Sequence, residues 1–249
     1  MFMRYSGDSN LKGVGLEMGG KSPFIVLDDA LITDDLIEHA AMSAFWNGGQ
    51  NCTANMRQLI AAPLVEEFTG RILERVKAFK LGDPLDPATD IGSMITKDHK
   101  TMVMNYIQSG VDEGANMLVG GASDLPGYFI EPTVFQNVTP DMKIAREEIF
   151  GPVLGIMPIK TAEEALAVAS DTEYGLHATV FTQDIDRAIH MARSLPCGTV
   201  SVNGFSEGDI KTPFGGYKQS GSLARDNGTE ALGQYLQTKT IWIQTKAVL

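Results

Sequence analysis

Apolar positions along this chain alternate between two rhythms. Some recur every third or fourth residue, as on one face of a helix. Others form short unbroken runs of the kind that fill a strand covered on both sides. The run over residues 24–27 reads as a buried strand, stopped by Asp28-Asp29. Residues 34–45 carry helical spacing, with Thr33 or Asp34 placed to cap the N-terminus and Asn47-Gly48-Gly49 to end it. A strand is expected over 57–62, then an amphipathic helix over 64–81 broken by Gly82-Asp83-Pro84. Helices follow over 97–113, 162–170, 184–195 and 231–235. Extended segments are expected over 117–119, 129–134, 152–159, 178–182, 199–202 and 239–244, with a Gly-rich loop over 211–221. This repeated β-α-β order predicts an α/β fold: a parallel, open sheet with helices on both faces. There is no internal repeat and no low-complexity linker.

Composition narrows the picture. With 249 residues, 43% of them hydrophobic, the chain can bury a substantial core. A net charge of −11 and the lack of a long basic run argue against nucleic acid or an anionic membrane as the main partner. Two cysteines, Cys52 and Cys197, make no disulfide framework and suit a reducing compartment. The four histidines show no metal-ligand spacing, so no metal site is expected. No apolar run reaches membrane-spanning length, and the first residues lack the pattern of a secretion signal, so the chain reads as cytoplasmic.

Four stretches carry candidate chemistry. In Asn47-Gly48-Gly49-Gln50-Asn51-Cys52-Thr53-Ala54 the glycines allow a substrate and a flat ring to approach the backbone closely. A cysteine there suits a nucleophile, and equally a small apolar residue packed in place. In Leu16-Glu17-Met18-Gly19-Gly20-Lys21 an acid beside a Gly-Gly turn suits activation of water if burial raises its pKa. Taken alone it is an ordinary glutamate at a strand end. In Glu147-Glu148-Ile149-Phe150-Gly151-Pro152 a carboxylate and an aromatic suit a ribose diol and a flat ring, or simply a solvated acidic pair. Thr212 to Gly221 is by itself a surface turn. The Gly13-x-Gly15 pattern near Gly19 lacks the flanking strand and long helix of a dinucleotide loop.

The combination and order of these stretches, including 35 positions from Glu17 to Cys52, resemble the aldehyde dehydrogenase superfamily, in its C-terminal catalytic half. The motifs that carry the resemblance are Glu17-Met18-Gly19-Gly20-Lys21-Ser22-Pro23, Gly49-Gln50-Asn51-Cys52, Glu148-Ile149-Phe150-Gly151-Pro152 and Pro213-Phe214-Gly215-Gly216-Tyr217-Lys218. The resemblance implies that Cys52 attacks an aldehyde to give a thiohemiacetal and then a thioester. Its backbone N–H would form part of the oxyanion hole, and Glu17 would activate the hydrolytic water. It implies NAD (or NADP) as cofactor, held by Glu148 through the ribose, by Phe150 beside the nicotinamide, and by the Met18 and Gly19 backbone. Trp46 and Phe214 fall where the family lines its substrate tunnel, although core packing is the plain reading of both. Glu207 and Asp209 resemble the aminoaldehyde (γ-glutamyl-γ-aminobutyraldehyde) branch, where an acid suits a cationic substrate.

The same resemblance implies three parts. Residues 1–19 would be the remnant of the cofactor-binding domain with its last strand. Residues 20–226 would be the catalytic domain. Residues 227–249 would be a C-terminal helix and an oligomerisation strand that makes the intact enzyme a homo-oligomer. Family members are about twice this length, so the chain reads as part of a longer enzyme, weak or inactive by itself. A residual cysteine esterase and an inactive fragment that only binds or dimerises stand as alternatives. The segment 222–226 is one residue longer than the family pattern, which puts a catalytic role for Asp226 in doubt.

Overall fold

The structure, a computed structural model, describes residues 1–222 and 224–245. In chain order the elements are α1 (Phe2–Gly7), β1 (Pro23–Val26), α2 (Asp34–Phe45), β2 (Arg57–Ala61), α3 (Val65–Lys77), α4 (Lys97–Asp112), β3 (Asn116–Ala122), β4 (Ile130–Gln136), α5 (Lys143–Arg146), β5 (Val153–Ile159), α6 (Ala162–Ser170), β6 (His177–Phe181), α7 (Ile185–Ser194) and β7 (Thr199–Val202). The seven strands form one sheet in the order β3-β4-β5-β2-β1-β6-β7.

Both faces of the sheet are covered, and the central strands show why their sequences are apolar throughout. Phe24, Val26, Ile60, Ile156 and Phe181 point to one side, where Leu36 and Ala40 of α2 and Phe68 and Ile72 of α3 meet them. Their sequence neighbours Ile25, Leu59, Met157 and Val180 point to the other, against Val103 and Ile107 of α4, Ala165 of α6 and Met191 of α7. A strand alternates its side chains between faces, so one covered twice has no polar position to spare.

The helix limits follow local chemistry. Thr33 caps α2, its Oγ1 accepting from Leu36 N at 3.1 Å. Asn47 and Gly48 stop that helix by taking left-handed φ values of 53° and 64°. The helix expected over 64–81 is shorter. Residues 62–64 form a 3-10 turn, α3 ends at Lys77, and Leu81 instead makes a bridge with Ile91.

The expected α/β fold, an open sheet with helices on both faces, is what the structure shows, and three details differ. The sheet is mostly, not wholly, parallel: β3 and β4 pair antiparallel at its edge. Only seven residues separate them, too few for a crossover helix. The strand expected within residues 1–19 does not form; Glu17 makes a single bridge to Gly221, beside bonds between Leu16 and Ser222. Residues 239–244 form no strand either and pair with no strand among the described residues. Ile241, Trp242 and Ile243 lie 74%, 89% and 77% exposed. Unanticipated is the short helix α1, which buries none of its residues. No helix of the described residues is long and apolar enough to cross a membrane.

Candidate active site

Parallel strands begin on the same side of a sheet, so the segments that enter β1, β2 and β5 converge there. Those segments carry Glu17 to Gly20, Cys52, and Glu148 with Phe150. Two glycines permit the convergence. A Cβ on Gly19 would stand 2.0 Å from Glu148 Oε2, and one on Gly20 would stand 2.5 Å from the Cys52 carbonyl oxygen. A side chain at Gly20 would strike backbone, and one at Gly19 would push the Glu148 carboxylate aside. Gly20 N donates to Glu148 Oε1 at 2.9 Å, which ties the first segment to the third.

Cys52 is half-buried and free. Burial pushes its thiol above the ordinary value, and the carboxylates of Glu207, Glu148 and Glu17 add to this, opposed by a backbone hydrogen bond. Three acids therefore lie within electrostatic reach of one sulfur. Glu17 makes no hydrogen bond to Cys52 among the described residues. Its side chain points toward Gly215, and its carboxyl is raised by burial first and then by Asp226, with Arg225 opposing. Glu17 is nonetheless exposed at the surface, so water reaches it. Glu148 is also raised, mainly by burial, while Gly20 N–H and Lys21 pull it down.

Phe150 sits at φ 53°, a left-handed conformation that is strained for an aromatic residue. His99 Nε2 bonds its carbonyl oxygen at 2.6 Å, and the two rings meet edge to face at 6.1 Å. The ring faces a cleft of about 700 Å³ that Trp46 also lines, together with Gln50 and Ile95. Met18 is 44% exposed beside the Gly19 backbone.

The remaining candidates separate. Glu207 comes to the Cys52 loop: its Oε1 accepts from Asn51 Nδ2 at 2.9 Å and from the Thr53 hydroxyl, the two neighbours of Cys52. Asp209 does not. Its Oδ1 accepts from Lys211 N at 2.7 Å within its own exposed turn. Phe214 is half-buried and pairs through its backbone with Asp226, and it does not line the Trp46 cleft. Cys197 is inert by environment, burial pushing its thiol up to about 12.

Several polar residues around the site escaped the sequence reading. Lys21 is 2% exposed and its Nζ has no partner among the described residues; burial and neighbouring Arg57 lower it to about 7. Arg57 donates to the carbonyls of Lys21, Val168 and Ala169. His177 and Asn55 are buried beneath the Cys52 loop. The available signal was His177 and Thr179 at alternate positions of an otherwise apolar strand, which marks a polar contact on one side.

The structure thus brings a half-buried thiol and three carboxylates together at the strand entrances of an α/β sheet. The aldehyde dehydrogenase family model matches residues 2–241, and the chain belongs to that family. It is 41% identical over 243 residues to an aminoacetaldehyde dehydrogenase of Pseudomonas aeruginosa, covering 98% of this chain and 49% of that protein. It is 46% identical over 240 residues to aldehyde dehydrogenase 1A1 of Gallus gallus, covering 96% and 47%. Among solved structures it matches a mutant indole-3-acetaldehyde dehydrogenase, AldA, of P. syringae in complex with NAD+ and IAA. That match has a TM-score of 0.94 and 41% identity over 98% of this chain and 50% of the other. The aldehyde dehydrogenase KauB of Pseudomonas aeruginosa matches equally, with a TM-score of 0.94 and 43% identity over the same shares. The chain thus spans about half the length of the curated relatives it matches.

Proposed function

We propose that the protein contributes the catalytic half of an NAD-dependent aldehyde dehydrogenase, with Cys52 as nucleophile. The observation that carries this reading is the convergence of the segments bearing Glu17, Cys52 and Glu148 at the Gly19-Gly20 turn, where Gly20 packs on the Cys52 carbonyl and bonds Glu148. The Cys52 thiolate adds to the aldehyde carbon, and the adduct then loses hydride to become a thioester. Because its thiol is raised in the structure, Cys52 reacts only once a base has taken its proton. Glu17 would serve for this and for activating the water that hydrolyses the thioester, a role supported by its raised carboxyl and its access to water. Its raised pKa makes it a better base than an ordinary glutamate.

The residues present fit a nicotinamide dinucleotide. Glu148 keeps Oε2 free of hydrogen bonds among the described residues while Oε1 is fixed, which suits a ribose diol. Gly19 leaves the backbone bare beside it, and Phe150, 36% exposed, lines the cleft. When bound, the nicotinamide supplies the hydride acceptor. P. syringae AldA binding NAD+ supports the same cofactor here.

An aminoaldehyde is the substrate class favoured by Glu207, whose carboxylate stands over the nucleophile, and by the likeness to aminoacetaldehyde dehydrogenase. Asp209, turned into its own loop, takes no part in this reading. Trp46 lines the cleft from which an aldehyde would approach, and Phe214 serves to hold the 214–226 hairpin. Residues 1–19 belong with the cofactor half and 20–226 with the catalytic half. The exposed 239–244 segment would complete a sheet in a second copy.

The test follows reduced-cofactor formation from an aminoaldehyde and from an uncharged aldehyde of equal length, together with ester hydrolysis without NAD. Cys52→Ala should abolish all three. Glu207→Gln should raise KM for the aminoaldehyde alone. Turnover that survives Cys52→Ala would refute the mechanism, and equal KM effects on both aldehydes would refute the substrate class. Ester hydrolysis without redox activity would leave the chain a cysteine esterase.

A further inference from the structure

Beneath the Cys52 loop lies a closed polar network that the proposed mechanism does not use. His177, 1% exposed at the start of β6, is its centre. Its Nε2 lies 3.0 Å from the Ser206 carbonyl oxygen and 3.1 Å from Ser201 Oγ. Its Nδ1 lies 3.4 Å from Asn55 Nδ2. A carbonyl only accepts, so Nε2 carries the proton and Nδ1 accepts from the Asn55 amide. Asn55 is fully buried; the same Nδ2 also donates to Pro23 O at 3.2 Å, and its Oδ1 accepts from Thr179 Oγ1 at 2.8 Å. The Phe205 ring covers the imidazole edge-on at 5.3 Å.

The two residues that the imidazole joins are not equivalent parts of the core. Asn55 ends the turn that carries Cys52, closed by Ala54 N donating to Asn51 O at 3.2 Å. Ser206 immediately precedes Glu207. The path therefore runs from Asn55 through His177 to Ser206, on to Glu207, and back to Asn51 and Thr53 on either side of Cys52. We propose that His177 is a positioning residue that locks the 203–209 loop to the Cys52 loop and so holds the Glu207 carboxylate across the nucleophile. This rests on Cys52 being the nucleophile. Ser201 shares this tether, its Oγ donating to the Ser206 carbonyl at 2.6 Å and accepting from Ser206 N at 3.2 Å; loss of the imidazole removes the bond that joins Ser206 to the Cys52 loop, and Glu207 then shifts away from Asn51 and Thr53.

The difference between two isosteric halves of histidine tests this. Gln at 177 reaches Ser206 with an amide N–H, as Nε2 does; Asn at 177 reaches Asn55 but not Ser206. Alkylation of Cys52 by iodoacetamide is followed against pH, with Cys197 separated by peptide mass, alongside a thermal melt for each variant. His177→Gln should keep the wild-type profile. His177→Asn and His177→Leu should shift its midpoint down by about half a pH unit or more, because a carboxylate has left the thiol. Glu207→Gln should give the same downward shift, and adding His177→Asn to it should change nothing further. Identical profiles for His177→Asn and His177→Gln in folded protein would overturn the proposal, as would full additivity with Glu207→Gln. Should His177→Leu fail to fold, the Asn and Gln pair still decides. Alkylation reads the position of Glu207 whether or not Cys52 turns over, so turnover surviving Cys52→Ala would refute the function alone.

Discussion

Replacing Lys21 with Met should make the protein more stable at neutral pH, by an amount that shrinks as pH rises. The ammonium is buried without a partner among the described residues, and Arg57 repels it, so its pKa drops from 10.5 to about 7. In the unfolded chain the lysine stays protonated up to about 10.4. Between these values the unfolded state binds the extra proton, so native stability rises with pH. The penalty is fullest below pH 7 and gone above the unfolded value. At about 1.36 kcal/mol per pH unit it amounts to about 4 kcal/mol at pH 7 and about 1 kcal/mol at pH 9.5. Wild type should therefore gain about 3 kcal/mol on Lys21→Met over that range. The assay is denaturant unfolding of both proteins at several pH values, taken as a difference so that shared titrations cancel. A wild-type-minus-variant difference that stays flat from pH 7 to 9.5 would refute the reasoning.

The other predictions concern residues that hold the site together. Gly19→Ala should weaken cofactor binding at least tenfold in a titration with NAD, because the new methyl group displaces Glu148; unchanged affinity would remove Glu148 from the cofactor site. Arg57→Met should destabilise the protein by about 3–5 kcal/mol in denaturant melts, since three carbonyls of the Lys21 and Val168-Ala169 segments lose their donor. His177, held neutral with its pKa lowered from 6.5 to about 4 by burial, works against folding in acid. As pH falls from 6.5 to 4 only the unfolded chain gains a proton, so wild type should lose up to about 3 kcal/mol relative to His177→Gln. An equal acid response in both would contradict the assignment.

Much of this protein was legible before folding was considered, because local rules dominate where apolar patterning is strong. The limits of α2 and α6 follow from spacing and Thr caps, and the doubly covered strands from runs such as Phe24 to Leu27. The motifs around Glu17, Cys52 and Glu148 carried the family, since their chemistry requires particular residues in a set order. Long-range partners were not legible. Nothing in the neighbourhood of Glu207 shows that it bonds Asn51 and Thr53, more than 150 positions away. The same run of residues left Asp209 turned into its own loop. His177 reads as one polar residue in a strand until Ser206 and Asn55 close around it. The antiparallel β3–β4 edge and the loose 239–244 segment were likewise decided by which strands stood near enough to pair. Sequence determined the elements and the reactive groups because those depend on near neighbours. Only the tertiary structure decided which carboxylate stands over Cys52, because hydrogen-bond partners and burial depend on parts of the chain that meet only when it folds.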